Sequence, residues 1–292
     1  GGNPLSRSRD PKVRSARAKR VLDYNNAQVT ARRRAAERKR HAEYIDSETW
    51  FHIGAKALER GGRMVRPGVV EWNVAGKCEA PVPRTLKGIV TTLYGKAEAR
   101  ENGSRTRYID MQVPCRRCKV CLWKKRRHWT YRATVETNTA SRTWLFTGTF
   151  APGIRLRILY AAQRAEGGEG WSRLSQEQRE ARLARHAQSY VTLFLKRVRS
   201  NSGAAVRYLS VTERHKDGTP HVHLLVHEVG AVAVRHKVLN DAWTFGHCHA
   251  KLVDVAETPA EYVCKYLSKD PVTRVRASVG YGHNTGQQPP WG

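Results

Sequence analysis

The sequence predicts an α+β protein. Its main domain reads as a split-βαβ sandwich of the ferredoxin or RRM-like kind, with a central antiparallel sheet, and a basic helical extension precedes it. Three observations carry this prediction. From residue 143 onward, once the insert at 151–170 is set aside, strand-like and helix-like segments follow the order β-α-β-β-α-β-α. The βαββαβ core of that order places helices on one face of an antiparallel sheet. The run Thr219-Pro220-His221-Val222-His223-Leu224-Leu225-Val226-His227 sets histidines among aliphatic residues at period two, as a strand does. Finally, residues 1–45 hold 13 Lys/Arg against 4 Asp/Glu, with clusters at Arg32-Arg33-Arg34 and Arg38-Lys39-Arg40.

Taken in order, 12–22 and 27–45 read as exposed helix or as a segment that orders on a nucleic acid. Residues 48–60 read as a short amphipathic helix, closed by Gly61-Gly62. Strand-like pieces follow at Met64–Val74, Gly88–Tyr94 and Tyr108–Val113, broken by Gly and Pro, with a polar mobile loop at 96–107. Cys118–Val135 is a basic helix, Thr143–Phe150 a strand and Arg155–Ala165 a helix, with a flexible link at 166–170. Gln176–Arg199 carries Leu183, Ala187, Val191, Phe194, Leu195 and Val198 on one helical face. Val206–Glu213 and His221–Glu228 are strands joined at Lys216-Asp217-Gly218, a hairpin signal. Val232–Ala242 is a helix and His249–Val255 a strand. Thr258-Pro259-Ala260-Glu261 then opens a helix, with Thr at the cap and Pro at the first position. The expected domains are an arm (1–46), an accessory β/loop region (47–112), the main domain (113–272) and a flexible tail (273–292).

Charge bounds the partner. The 292 residues carry a formal charge of +28, which points to a polyanion, most often nucleic acid, with an anionic membrane surface as the weaker alternative. No apolar run approaches the roughly 20 residues that span a bilayer, and no apolar secretory core is visible, so an intracellular, non-secreted protein is expected. Cys115, Cys118 and Cys121 stand three apart, which reads as metal ligation in a reducing compartment. A tetrahedral zinc wants a fourth ligand, from Cys78 or a histidine; reduced packing or redox-sensitive thiols are the alternative. Residues 115–132 contain eight Lys/Arg and no acid. Arg116, Arg117, Lys119, Lys124, Lys125, Arg126 and Arg127 are the expected phosphate contacts. Trp123 and Trp129 are candidates for base stacking or for the core.

The chemistry concentrates in the histidine strand. His221 and His223 share a face, and a tight hairpin folds Glu213 beside them. Two imidazoles and a carboxylate leave coordination positions open, which suits Mg²⁺ or Mn²⁺ acting on a scissile phosphate. His215, His247 and His249 compete for the third place. Tyr262 and Tyr266 lie one helical turn apart with Lys265 between them. A phenol with a pKa near 10 needs such a cation to act as a nucleophile.

The Thr147-Gly148-Thr149 strand, Gly218-Thr219-Pro220-His221-Val222-His223 and Tyr262-Val263-Cys264-Lys265-Tyr266-Leu267-Ser268-Lys269, in that order, resemble the HUH endonucleases. The closest likeness is to the two-tyrosine rolling-circle initiators of small single-stranded DNA phages, the microvirus and inovirus group, over roughly residues 113–270. Pro114-Cys115-Arg116-Arg117-Cys118-Lys119-Val120-Cys121 before a basic stretch is similar to a run in those initiators. The resemblance implies a metal on His221 and His223, a tyrosine that becomes a 5′-phosphotyrosine on single-stranded origin DNA, and a 3′-OH primer. A second tyrosine then cuts the regenerated origin, and the 3′-OH closes the circle. It implies the host cytoplasm as setting. Host helicase and polymerase are implied as partners, since no Gly-x-x-x-x-Gly-Lys-[Ser/Thr] loop is present. A transposase or relaxase of the same chemistry, or a non-catalytic DNA-binding protein with a structural metal, are the competing readings.

Overall fold

The computed structural model describes residue 23 and residues 43–45, 47–89, 106–214, 218–254 and 258–283. Among these it is a mixed α+β structure with seven α-helices and two five-stranded sheets. The chain divides into two units, Gly1–Cys115 and Arg116–Gly292.

The first unit holds β1 (Glu43–Ile45), α1 (Ser47–Glu59), β2 (Arg63–Arg66), β3 (Val69–Asn73), β4 (Val82–Ile89) and β5 (Thr106–Val113). The strands form one sheet in the order β1-β4-β5-β3-β2. Trp50 and Ala57 of α1 are buried with Val70, Leu86 and Ile109. The Trp50 ring lies over Gly88, where an added Cβ would fall 2.8 Å from it. The expected helix at 27–45 ends instead in strand β1, and the rest of the arm (save residue 23) lies outside the described residues, as does most of the polar loop at 96–107.

The second unit contains α2 (Lys119–Thr139), β6 (Arg142–Gly148), α3 (Pro152–Glu166), α4 (Gly168–Arg173), α5 (Gln176–Ser202), β7 (Val206–Arg214), β8 (Pro220–Glu228), α6 (His236–Ala242), β9 (Cys248–Leu252), α7 (Pro259–Cys264), a 3-10 turn (Lys265–Ser268) and β10 (Arg274–Ala277). Its sheet runs β10-β7-β8-β6-β9, every neighbour antiparallel. β8 therefore lies between β7 and β6 at the centre. Both of its faces are covered, so period two decides which core each side chain joins. Val222, Leu224 and Val226 pack with Phe146, Phe194 and Trp243 on the α5 side, where the Phe146 and Phe194 rings stack at 4.5 Å. Leu225 packs with Leu209, Val211, Ala133, Ala260, Val263 and Leu267 on the side of α2 and α7. α5 begins at a capping box, Ser175 with Gln178, and ends at left-handed Gly203 (φ 68°).

Four expectations are corrected. Helices cover both faces of the sheet rather than one. The reason is that α2, read only as a basic helix, buries Cys121, Leu122, Ala133 and Glu136. The flexible link at 166–170 is helical from Gly168. The helix opened at Pro259 gives way to a 3-10 turn at Lys265, and Thr258 makes no side-chain cap. The tail expected from residue 273 is structured as far as 283: β10 pairs with β7, and Tyr281 is fully buried. Lys216 and Asp217 of the hairpin lie outside the described residues. Among the described residues no helix is long and apolar enough to cross a membrane.

Candidate active site

The β7–β8 hairpin aligns Glu213 directly opposite His221, and two residues on, His223 shares the face. The ligand atoms of Glu213, His221 and His223 all lie within 4.8 Å of one another. Glu213 Oε1 meets His223 Nε2 at 2.8 Å. The other ring nitrogen, Nδ1, faces Thr147 Oγ1 of β6 at 3.3 Å. A partner on the far nitrogen is what fixes an imidazole's orientation in a metal site. The His221 and His223 rings are 4.7 Å apart.

The tyrosine segment is delivered to the same face by burial. Ala260, Val263, Cys264 and Leu267 anchor it against Leu209, Val211 and Leu225, which turns Tyr262, Lys265 and Tyr266 toward the histidines. Arg214, the residue after Glu213, pairs with Asp270 at 3.3 Å and with Glu180 at 2.6 Å. The far end of the segment is thus tied to the strand that carries Glu213. The Tyr266 ring lies parallel to His223 at 4.3 Å between centroids, with an interplanar angle of 7°. Tyr262 is farther, 6.4 Å from His223, and 43% exposed. Lys265 Nζ sits 3.7 Å from the centroid of Tyr262 and 5.0 Å from that of Tyr266. Burial raises the Tyr266 pKa well above the ordinary phenol value, reinforced by its hydrogen bond with Tyr262 and by the charges of Tyr262 and Glu213. Cys264, between the two tyrosines, is a core thiol pushed up to about 12 by burial.

The donor set fits a hard divalent cation. Two imidazoles and one carboxylate lie within 4.8 Å of one another, and the partly exposed Tyr262 lies beside them. Of the other histidines considered, His247 and His249 are exposed and do not join the group, and His215 lies outside the described residues. His227, two positions beyond Leu225 on the same strand face, is enclosed. Its ring nitrogens meet Thr143 Oγ1 at 2.9 Å and Tyr281 Oη at 2.8 Å.

Of the expected phosphate contacts, Arg116, Arg117, Lys119, Lys124 and Arg127 are exposed and Arg126 is half-buried. Arg117 pairs with Glu177, and Arg127 covers the Trp123 ring at 4.5 Å. Lys125 is a correction. Its ammonium donates to the Thr273 carbonyl at 2.7 Å, and burial lowers its pKa, so it holds the C-terminal strand. Trp129 packs on the core and Trp123 is 51% exposed. Of the cysteines considered for zinc, Cys78 and Cys115 belong to the first unit and Cys118 and Cys121 to the second. In the first unit the Cys115 N–H donates to Cys78 Sγ at 3.3 Å. In the second, Cys118 precedes α2 and Cys121 is buried in its first turn.

Sequence reasoning missed the network behind His227. Glu136 of α2 takes a bidentate pair from Arg207 of β7, at 2.7 Å for each bond, and the Gly282 N–H at 2.6 Å. These partners hold the Glu136 carboxylate below its ordinary value, against a burial effect that pushes the other way. Gly282 has φ +66°, and a Cβ there would lie 2.6 Å from Arg132, so the close approach requires glycine. A lone buried Glu in a basic helix is the only sequence signal for it.

Residues 174–271 match a family model described as Replication-associated protein ORF2/G2P. The matched stretch contains Glu213, His221, His223, Tyr262, Lys265 and Tyr266. No curated protein and no solved structure matches the chain. The match supports a replication-associated protein that interacts with DNA and has a role in replication initiation.

Proposed function

We propose that the chain is a replication-initiation endonuclease that nicks single-stranded origin DNA through a tyrosine and rejoins the strands, as the two-tyrosine HUH initiators do. The observation that carries this reading is the parallel stack of Tyr266 on His223, with Glu213 at Nε2 of the same ring and His221 in the same group. A DNA-binding role alone gives no reason to gather two phenols, a lysine and three metal-ligating groups on one sheet face.

His221, His223 and Glu213 would hold Mg²⁺ or Mn²⁺, which supplies Lewis-acid activation of the scissile phosphate when bound. The chain's own residues do the rest. The β7–β8 hairpin fixes the donors, and Thr147 orients His223. Lys265 places a positive charge beside a phenol that must lose its proton as it attacks. The phenol oxygen forms a bond to phosphorus and the P–O3′ bond breaks. The phenolic proton passes to solvent, and the 3′ oxygen takes one up. One phosphodiester replaces another, so no energy source is consumed. The exposed cations of α2 and its N-terminal approach track the DNA backbone. A structural zinc, read from the Cys-x-x-Cys-x-x-Cys spacing of residues 115–121, belongs to the same proposal: metal analysis should find one zinc per chain, lost in Cys121→Ser.

The deciding experiment incubates the protein with single-stranded origin-type DNA and Mn²⁺ and looks for a covalent adduct on a denaturing gel. The adduct is expected with wild type, absent with EDTA, and absent in a Tyr262→Phe/Tyr266→Phe double variant. Tight binding without adduct across all DNAs tested would leave the non-catalytic DNA-binding reading standing.

A further inference from the structure

Of the seven tryptophans among the described residues, only Trp123 is exposed, with 51% of its surface open to solvent. An indole left in water forgoes a large burial gain, so its surroundings show what could cover it. Arg127, one turn on, lies over the ring at 4.5 Å from its centroid. Lys119, one turn back, and Lys124 beside it are exposed, and residues 115–132 contain no acid. Trp129 on the same helix makes the contrast. It too has an arginine over its ring, Arg132 at 4.7 Å, but it packs on the core with Val263, Cys264 and Leu267. An open aromatic face among cations suits a partner that is both anionic and flat, a base of an unpaired strand. The paired and stacked bases of a duplex offer no free face of that kind.

The place of Trp123 connects it to the tyrosine face. Thr130 of α2 hydrogen-bonds Cys264, between Tyr262 and Tyr266, and Lys125 donates to the Thr273 carbonyl beyond the end of that segment. The N-terminal half of α2 therefore runs alongside the tyrosine segment toward Thr273. Trp123 stands seven residues before Thr130, so it lies on the same side of the helix, about 10 Å along the axis. At about 3.4 Å per stacked nucleotide, that is a reach of about 3 nucleotides. We propose that Trp123, with Arg127 over one face of its ring, is a stacking subsite for a single unpaired base near the scissile phosphate, and that Lys119 and Lys124 hold the flanking phosphates. This rests on the reading above in so far as single-stranded DNA is seated at the tyrosines, and does not depend on cleavage. Every base has a π-face, so stacking tolerates any sequence. The subsite therefore fixes how far the strand is threaded and leaves base identity unread.

The test measures binding of the full chain in EDTA, so that metal-dependent cleavage does not intervene. The probe is a single-stranded origin-type oligonucleotide in which one abasic residue is moved along the strand position by position. With wild type, one position should weaken binding by about 10-fold. Trp123→Ala should weaken the intact oligonucleotide by a similar factor and should no longer feel the abasic residue at that position, as coupling within a pair requires. Trp123→Phe keeps a π-face and should recover most of the affinity, which a merely structural role for the indole would not predict. Salt separates stacking from charge. Trp123→Ala should leave the slope of log affinity against log salt unchanged, whereas Lys124→Ala should reduce it by about 0.7. Duplex DNA should bind Trp123→Ala as it binds wild type. No sensitive abasic position, a penalty that survives in Trp123→Ala, or equal losses on duplex and single strand would each overturn the inference. An abasic penalty that depends on Trp123, without any covalent adduct in Mn²⁺, would remove the nicking reading and leave the subsite standing.

Discussion

Strand β8 presents histidines to the same face of the sheet at both of its ends, and the two ends have opposite surroundings. At His221 and His223 the neighbours are a carboxylate, two tyrosines and an open side; Glu213 keeps 20% of its side chain accessible. At His227 the ring is fully buried between Thr143 and Tyr281. Burial lowers its pKa to about 4, with Arg207 acting in the same direction and Glu136 against it. One end gathers three ligand-type side chains, two of them partly exposed. The other satisfies every polar atom internally, as a buried group must. The same residue type, on the same strand face, is chemistry in one place and scaffold in the other. What separates them is what the chain lays over the ring: Tyr281, itself buried, over His227, and Tyr266, beside the partly exposed Glu213 and His221, over His223.

That contrast is breakable by substitution. His223→Ala should reduce covalent adduct formation per folded molecule by roughly 100-fold or more. His227→Ala should act on stability instead. Two hydroxyls are left buried without a partner, and unfolding titrations should show a loss of about 2–4 kcal/mol, with activity per folded molecule retained. Equal effects of the two substitutions on activity would erase the distinction.

The pH dependence sharpens it. The folded pKa of His227 (about 4) lies below the ordinary 6.5, so the unfolded chain binds more protons between those values. Its contribution to stability is full above about pH 6.5 and is lost as the pH falls toward 4, by roughly 3 kcal/mol across that window. Denaturant midpoints measured from pH 7 to 4 should fall accordingly. The fall should be smaller in a His227→Gln variant, which has nothing to titrate there. The smallest expected effect is Tyr281→Phe, about 1–2 kcal/mol for the lost hydroxyl contact with His227, read from the same titrations.

Much of the site was legible because local rules set it. Period two puts His221 and His223 on one face, and the length of the hairpin turn puts Glu213 opposite. Helical spacing brings Tyr262, Lys265 and Tyr266 to one side. The hydrophobic stripe of α5 announced itself through Val191, Phe194, Leu195 and Val198. What stayed hidden depends on partners distant in the chain. Nothing near Glu136 in sequence shows that Arg207 and Gly282 will meet it, and nothing near Lys125 shows the Thr273 carbonyl. α2 carries its few apolar contacts among basic residues, so its second, buried face left no periodic signal.

β10 bears on behaviour away from DNA. It is the outermost strand beside β7, four residues long, and Arg274 and Arg276 point to solvent while Val275 and Ala277 face inward. A sheet whose last strand is short and carries paired positive charges resists zipping onto the same edge of another molecule. Copies held at high local concentration are thereby kept from pairing edge to edge. A fragment cut before residue 273 would expose the longer β7 edge and should lose solubility first.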